Sequence, residues 1–127
     1  MIPARGYAAQ TATTPLGPFA FEHREPGPKD VRIAIAFCGV CHSDLHQARN
    51  EWGGSIYPMV PGHEIVGEVT AVGAEVTRHA VGDKVAVGCM VDSCRTCAQC
   101  AAGDEQYCDR AVFTYNSRHY SGLPTWG

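Results

Sequence analysis

The order of apolar and polar residues predicts a series of short β-strands. VRIAIAF, 31–37, places four large apolar residues on one face and two alanines on the other, so we expect a strand buried on both faces. IVGEVTAVG, 65–73, is predicted to be a second strand, in which Gly67 indicates a bulge or a close backbone approach. VGDKVAVG, 81–88, predicts a turn and a third strand, and residues 19–24 predict one more.

Only CHSDLHQARN, 41–50, has a convincing helical pattern. The 14 glycines and 8 prolines break the rest into short pieces. The region from Cys89 to Arg110 has too few large apolar residues to form its own core, so something else has to hold it together. We therefore expect a mainly β fold, a small and partly open β-barrel with a short helix and an irregular lobe.

The length of 127 residues fits one domain rather than two. A net charge of −3 offers nothing to attract nucleic acid or anionic membranes, and no apolar run is long enough to span a bilayer. The first residues lack the apolar stretch of a secretory signal. A cytoplasmic, reducing compartment is therefore expected.

The seven cysteines indicate metal, because an odd number in a reducing compartment does not suit disulfides. Four of them form C-x2-C-x2-C-x7-C at Cys94, Cys97, Cys100 and Cys108. Four thiolates close a tetrahedral shell around Zn²⁺, which would supply the folding energy that the lobe lacks. The alternatives are an iron–sulfur cluster, disulfides or unrelated thiols, and the spacing differs from the bacterial ferredoxin run.

A second candidate metal site combines CGVCHSDLHQ with PGHEIVG. Cys41 and His63 lie at the two ends of an excursion between strands and would leave a zinc coordinatively open, as catalysis requires. Glu64 is a third, exchangeable ligand or an outer group, and Asp44 is placed to fix the His63 tautomer. A buried cysteine and a satisfied core histidine are the alternative.

These motifs resemble the zinc-containing alcohol dehydrogenases of the medium-chain dehydrogenase/reductase superfamily. GHEIVGEVTAVGAEV, 62–76, fits G-H-E-x2-G-x5-G-x2-V, and CGVCHSDLHQ, the four-cysteine lobe and VGDKV follow in that family's order. The run from CHSDLHQ to PGHEIVG is most similar to the cinnamyl alcohol dehydrogenase branch and its bacterial aldehyde reductase relatives. The resemblance implies that 1–127 is an incomplete GroES-like catalytic domain, with a structural zinc lobe at 89–110.

The resemblance also implies residue roles. Cys41 and His63 would bind the catalytic zinc, and Glu64 would approach it when ligands exchange. Ser43 would take the proton of the alcohol and pass it, through the cofactor ribose, to His46; on one helix these two share a face. His42 would touch the cofactor pyrophosphate, while Trp52 and Tyr57 would line the substrate channel. Ser43 as a helix N-cap, His46 as an ordinary exposed histidine and Trp52 as plain core are the alternatives.

Two expected parts are missing from the 127 residues. The family's third catalytic-zinc ligand is a later cysteine, and none follows Cys108. No G-x-G-x-x-G and no strand–helix alternation is present, so we expect the Rossmann cofactor domain to be absent and this segment alone to be inactive. The parent is expected to be a homodimeric NADP- or NAD-dependent enzyme, with one catalytic and one structural zinc per chain, acting on a small alcohol or aldehyde.

Three other readings remain. A non-enzymatic, zinc-stabilised GroES-like binding module is the main alternative. CGVCH, 38–42, matches the C-x-x-C-H pattern of c-type haem attachment, and a thioredoxin-like C-x-x-C is weaker because no parallel sheet pattern surrounds it. Neither of these two explains the four-cysteine lobe, and we expect Cys38 and Cys89 to be packed thiols.

Overall fold

The computed structural model describes residues 1–127 and consists mainly of strands. The strands are β1 Ile2–Ala8, β2 Gly17–His23, β3 Val31–Gly39, β4 Glu64–Val72, β5 Lys84–Val87, β6 Met90–Asp92 and β7 Val112–Phe113. The helices are α1 His42–Ala48 and α2 Ala98–Ala102, with a 3₁₀ turn at Glu105–Tyr107. None of the helices has the length and apolar character needed to cross a bilayer.

All strand pairs are antiparallel, and they form three separate sheets. β1 pairs with β2, β4 lies between β3 and β5, and β6 pairs with β7. The prediction of a mainly β fold is confirmed, but the hydrogen-bonded ladders do not close into one barrel. The excursion from β3 to β4 contains α1 and brings its two ends together at Gly39 and Glu64.

The predicted elements correspond to β2, β3, β4, β5 and α1. Strand β1 was not predicted, because its sequence IPARGYA contains a proline and a glycine and has few large apolar residues. The short α2, β6 and β7 were also missed. All three lie within or beside the four-cysteine lobe, where apolar periodicity is too short to give a signal.

The prediction that β3 is buried on both faces was wrong. Ile35 is 54% exposed and Phe37 is 75% exposed. The register against β4 shifts between Arg32 and Ile33 and again between Ile35 and Phe37, so the simple alternation of faces is interrupted. No other part of the described chain covers the end of the strand. Cys38, expected to be packed, is exposed there as well.

The core is centred on β4. Ile65 and Val69 point to the same side of this strand and are 6% and 0% exposed. Met59 and Val112, both almost fully buried, belong to the same apolar set. A pair of backbone hydrogen bonds joins Ala9 to Met59, each 2.9 Å long, and ties the end of β1 to the excursion. The core therefore holds the α1 excursion against the sheets.

Gly67 is the closest backbone approach in the central sheet, as the sequence indicated. A Cβ at this position would meet the carbonyl oxygen of Ala34 and lie 2.6 Å from a methyl group of Ile33. The contact with a backbone carbonyl cannot be relieved by a rotamer change. Any side chain here has to push β3 away from β4.

We expect Gly67→Ala to lower the free energy of unfolding by about 1–3 kcal/mol, the usual cost of forcing atoms into a filled space. Gly88→Ala is the matched control, because a Cβ there meets nothing within 4 Å and the backbone is not in the left-handed region. That variant should change stability by less than about 1 kcal/mol. Urea denaturation of both variants measures the difference, and equal effects would contradict the packing argument.

Candidate metal centres

Cys41 is held at the start of α1 by a reciprocal capping box. Its backbone is extended, with φ −103° and ψ 155°, and its N–H donates to Asp44 Oδ2 at 2.9 Å. Ser43 lies inside the helix and is not its N-cap, so the capping alternative for this residue fails. The Ser43 hydroxyl is instead 3.4 Å from Cys41 Sγ.

The Asp44 carboxylate connects the two ends of the excursion. It is 6% exposed, and Oδ1 accepts from the N–H of Gly62 at 3.1 Å and from Nδ1 of His63 at 3.2 Å. An ionised carboxylate only accepts, so His63 carries its proton on Nδ1 and its Nε2 keeps a free lone pair. Asp44 thereby fixes the orientation of His63 and the position of Cys41 at once.

Three ligand atoms meet beside this carboxylate. Cys41 Sγ, a ring nitrogen of His63 and a carboxylate oxygen of Glu64 all lie within 4.8 Å of one another. Ligands bound to one zinc at about 2.0–2.3 Å are separated by about 3.3–3.8 Å, so small side-chain rotations bring these three atoms onto one ion. His63 is buried and Glu64 is exposed. The donor set fits zinc and leaves a coordination position free.

The surroundings favour a ligand-competent cysteine. Hydrogen bonds from the hydroxyl and the N–H of Ser43 lower the pKa of the Cys41 thiol. The thiolate is the form that binds metal. The ring of Tyr115 stacks on His63 with centroids 5.2 Å apart and planes 5° from parallel. Burial and the negative charge of Asp44 raise the pKa of Tyr115, which therefore stays a neutral phenol.

The four cysteines of the lobe also converge on one point. Their sulfur atoms all lie within 4.8 Å of one another, and those of Cys94 and Cys100 are 3.9 Å apart. Sulfurs bound to zinc at about 2.3 Å are about 3.8 Å apart in a tetrahedron, so the cluster fits a single ion. With four protein ligands, no position would be open to a substrate.

Backbone N–H groups face the sulfurs of this cluster. Cys94 Sγ accepts from Cys97 N–H at 3.3 Å, and Cys97 Sγ accepts from Cys100 N–H at 3.5 Å, which also caps α2. Cys108 Sγ accepts from Cys94 N–H at 3.4 Å. The N–H and hydroxyl of Thr96 lower the pKa of Cys94 to about 6. At Cys97 the N–H of Cys100 acts in the same direction, but desolvation and the neighbouring cysteines raise the pKa of that thiol to about 11. The N–H groups therefore favour a thiolate most clearly at Cys94.

Apolar burial contributes little to the lobe, in agreement with its composition. Within residues 89–110 only Ser93 and Cys108 are buried. The segment after β7 contacts the lobe from outside: the Tyr120 hydroxyl donates to the Arg110 carbonyl at 2.7 Å, and the Arg110 guanidinium lies 5.4 Å from the centre of the Tyr120 ring. We therefore expect a bound ion to be the lobe's main source of stability.

A cleft of about 340 Å³ opens beside the Cys41 and His63 cluster. Its lining residues come from α1, the excursion and the segments next to β5 and β7, and they are Ser43, Gln47, Trp52, His63, Cys89, Phe113, Tyr115 and Asn116. Sequence reasoning had placed Ser43, Trp52 and His63 here and missed the others. Cys89, expected to be packed, is exposed in the cleft. The alternation in VFTYN, 112–116, was the one available signal for two of the missed residues, Phe113 and Tyr115.

The remaining predicted residues lie outside the lining. The Tyr57 hydroxyl donates to the carbonyl of Ala48 at 2.7 Å, and the structure does not bring this residue to the cleft. His42 and His46 stack with centroids 4.6 Å apart, and His46 lies 4.7 Å from Trp52. Trp52 is 58% exposed, so it is not a core residue.

Comparison with known proteins places this arrangement in a family. Residues 27–125 match the model of the alcohol dehydrogenase GroES-like domain. The chain is 58% identical to the aldehyde reductase YahK of Escherichia coli over 113 residues, 89% of this chain and 32% of that protein. It matches the Sorghum bicolor cinnamyl alcohol dehydrogenase SbCAD4 with a TM-score of 0.95 and 50% identity, over 98% of this chain and 36% of that one.

A further solved structure, CAD from Helicobacter pylori complexed with NADP(H), matches with a TM-score of 0.96 and 41% identity. The match covers 99% of this chain and 37% of that one. The 127 residues therefore span only about a third of the length of these relatives.

We expect Asp44→Asn to weaken both the fold and the metal site, because the amide has one acceptor oxygen for three N–H donors. Stability should fall by about 1–3 kcal/mol, and the affinity of the weaker zinc site by about 10–100-fold. Asp83→Asn is the control: this residue accepts one N–H, from Ala80 at 2.8 Å, in an exposed turn. Denaturation and chelator competition measure both effects; an unchanged zinc affinity would refute the orienting role of Asp44.

We expect the 127-residue chain to hold about one zinc tightly, in the four-cysteine lobe, and a second one weakly or partly at Cys41 and His63. Four thiolates bind more strongly than two or three mixed ligands. Cys94→Ser should therefore remove the tight zinc, while Cys38→Ser, a change at an exposed cysteine outside both clusters, should keep it. Elemental analysis after dialysis measures the zinc content of each variant. If Cys94→Ser retains its tight zinc, the assignment of that zinc to the four-cysteine lobe is wrong.

Proposed function

The chain belongs to the alcohol dehydrogenase GroES-like domain family, and we propose that its parent protein is a zinc-dependent oxidoreductase that interconverts alcohols and aldehydes with NADP or NAD. The observation that carries this proposal is the joint placement of Cys41, His63 and Glu64 beside a cleft that also contains Ser43. The solved relative with bound NADP(H) favours NADP.

Cys41, His63 and Glu64 would hold the catalytic ion. A zinc bound there supplies Lewis-acid stabilisation of negative charge on the substrate oxygen. The chain's contribution is orientation: Asp44 holds His63 with Nε2 free, and the capping box holds Cys41. Glu64 is the first residue of β4 and is exposed, which suits a ligand that binds and leaves as the substrate exchanges.

Ser43 is the residue we assign to proton transfer. A hydroxyl accepts one proton while it donates another, and Ser43 Oγ lies 3.4 Å from Cys41 Sγ, at the metal end of the cleft. His46 follows one turn later on the same side of α1, and its Nδ1 is 2.5 Å from Glu51 Oε2. This contact holds the ring in place, so that His46 suits the receiving end of a relay near the surface.

The walls of the cleft indicate the substrate class. Trp52, Phe113 and Tyr115 provide aromatic surface, and the volume of about 340 Å³ fits a small organic molecule. We propose a small alcohol or aldehyde as substrate, with Trp52 as a contact. His42, stacked on His46, is assigned to the cofactor side.

The four-cysteine cluster is assigned a structural zinc, so that the complete chain would hold two zinc ions. The cofactor domain is expected in the part of the relatives' length that residues 1–127 do not span, and the segment alone should neither bind NADPH nor turn over. A homodimeric parent stays a prediction.

We expect Ser43→Ala in the full-length protein to lower turnover by roughly 10²-fold or more, the usual contribution of a positioned proton-transfer group. His46→Gln should cause a smaller loss, because bulk water replaces it in part, and added imidazole should restore some activity. Both variants should retain zinc. Cys41→Ser is the contrast, because it removes a ligand and should lower zinc content and activity together.

Steady-state rates across pH, zinc stoichiometry and melting temperature for each variant separate these roles. Normal turnover of Ser43→Ala would show that the relay assignment is wrong. An inactive wild type with intact zinc would favour a binding module in place of an enzyme.

A further inference from the structure

Gln47 brings a second polar group into the cleft, one helical turn beyond Ser43. Residues four apart lie on the same face of a helix, at a rise of about 6 Å. Both side chains line the cleft. The Gln47 amide therefore lies where the part of a substrate beyond its reacting carbon has to be.

The orientation of this amide is decided by a backbone donor. The N–H of Ile56 is 2.7 Å from Asn116 Oδ1, and a backbone N–H requires an acceptor. The oxygen of Asn116 therefore faces Ile56, and its amino group faces Gln47 Oε1 at 2.7 Å. An amino group only donates, so the Gln47 oxygen has to point at Asn116.

The Ser55 hydroxyl is close to this amide but does not decide its orientation. Its one proton is donated to the main-chain carbonyl of Gln47 at 2.6 Å, so the 3.3 Å contact between Ser55 Oγ and Gln47 Oε1 leaves the Asn116 hydrogen bond to set the amide. Gln47 Nε2, in contrast, has no hydrogen-bond partner in the protein. Its two N–H groups remain as free donors at the cleft.

We infer that Gln47 Nε2 donates a hydrogen bond to a second oxygen of the substrate, and that Asn116 is the positioning residue that holds the amide in this orientation. The substrates selected are alcohols or aldehydes that carry a hydroxyl or ether oxygen a few bonds beyond the reacting carbon. This inference rests on the proposed function, since it takes the Ser43 end of the cleft as the reacting end.

The aromatic walls make this donor selective. A substrate that fills the cleft displaces the water bound to Gln47 Nε2. A substrate oxygen at this point accepts the hydrogen bond in place of that water, whereas a methylene leaves the N–H donor without a partner. Trp52 and Phe113 offer little polar compensation nearby. The cleft should therefore discriminate between two substrates that differ only in this atom.

The Asn116→Asp variant tests the inference in the full-length protein. A carboxylate still accepts from Ile56 N–H and tolerates the left-handed backbone, φ 51°, but it presents an oxygen to Gln47. The Gln47 amide then has to turn round, so that its oxygen faces the cleft. An ether substrate, which only accepts, loses its donor.

The measurement is a ratio of kcat/KM values for two isosteric substrates. One is an unbranched primary alcohol, and in the other an ether oxygen replaces one methylene four or five carbons from the hydroxyl. We expect the ether-to-alkane ratio to be roughly fivefold higher in the wild type than in Asn116→Asp, the size of one net hydrogen bond.

Asn50→Asp is the matched control. Asn50 also has a left-handed backbone, φ 56°, and its Oδ1 also accepts a backbone N–H, that of Ser55 at 2.9 Å, but its amino group does not contact Gln47. It should leave the ratio at the wild-type value. Gln47→Leu removes the donor directly and should lower the ratio even if Asn116→Asp does not fold.

Side-chain amide NMR supplies a readout that does not need turnover. The Gln47 signals, identified by their loss in Gln47→Leu, should move when the ether alcohol is added to the wild type and stay in place with the plain alcohol. An equal ratio in wild type and Asn116→Asp, or unmoved Gln47 signals, overturns the inference. Absence of turnover with both alcohols contradicts the proposed function instead, and the NMR shift then decides alone.

Discussion

The geometry of the candidate site at Cys41 and His63 depends on one buried carboxylate. Asp44 accepts hydrogen bonds from the backbone of Cys41, from the backbone of Gly62 and from the ring of His63. These donors lie on either side of an excursion of more than twenty residues, so a single side chain closes the loop and sets the distance between Cys41 and His63. A neutral side chain of similar size cannot do this, because three donors require the several lone pairs of an ionised carboxylate.

The molecule is stabilised in two different ways. The sheets and the excursion share an apolar core around Val69 and Met59. The lobe has almost no buried apolar surface and instead directs N–H groups at four convergent sulfurs. Burial stabilises only when apolar area is available, whereas metal binding stabilises a small lobe without it. We therefore expect removal of a metal ion bound to the four cysteines to loosen the lobe and leave the core folded.

The sequence predicted what local periodicity and ligand spacing determine. Short-range patterns predict the strands β2 to β5, the helix α1 and the four-cysteine cluster. The pairing of Cys41 with His63, more than twenty residues apart, depended on the family resemblance. Local patterns did not predict three other features, because each depends on contacts between distant segments. These are strand β1, the exposure of Phe37, and the position of Phe113 and Asn116 in the cleft. Tyr57 shows the same limit: the resemblance placed it at the substrate, while its hydroxyl in fact closes the end of α1. Proximity along the chain does not say which way a side chain turns.

The same physical rule orders the cluster at Cys41 and His63 and the far end of the cleft. Irregular segments contain backbone N–H groups that no ladder or helix satisfies, and these groups recruit side-chain oxygens. The N–H of Gly62 donates to Asp44, and Asp44 in turn orients His63. The N–H of Ile56 donates to Asn116, and Asn116 in turn orients Gln47. At Asn116 the backbone donor leaves the amide only one way to face Gln47, whereas the Asp44 carboxylate offers an acceptor oxygen to each of its neighbours. The loop between α1 and β4 therefore does more than connect two elements. Its backbone N–H groups, which bond to side chains, determine which polar atoms of His63 and Gln47 face the cleft.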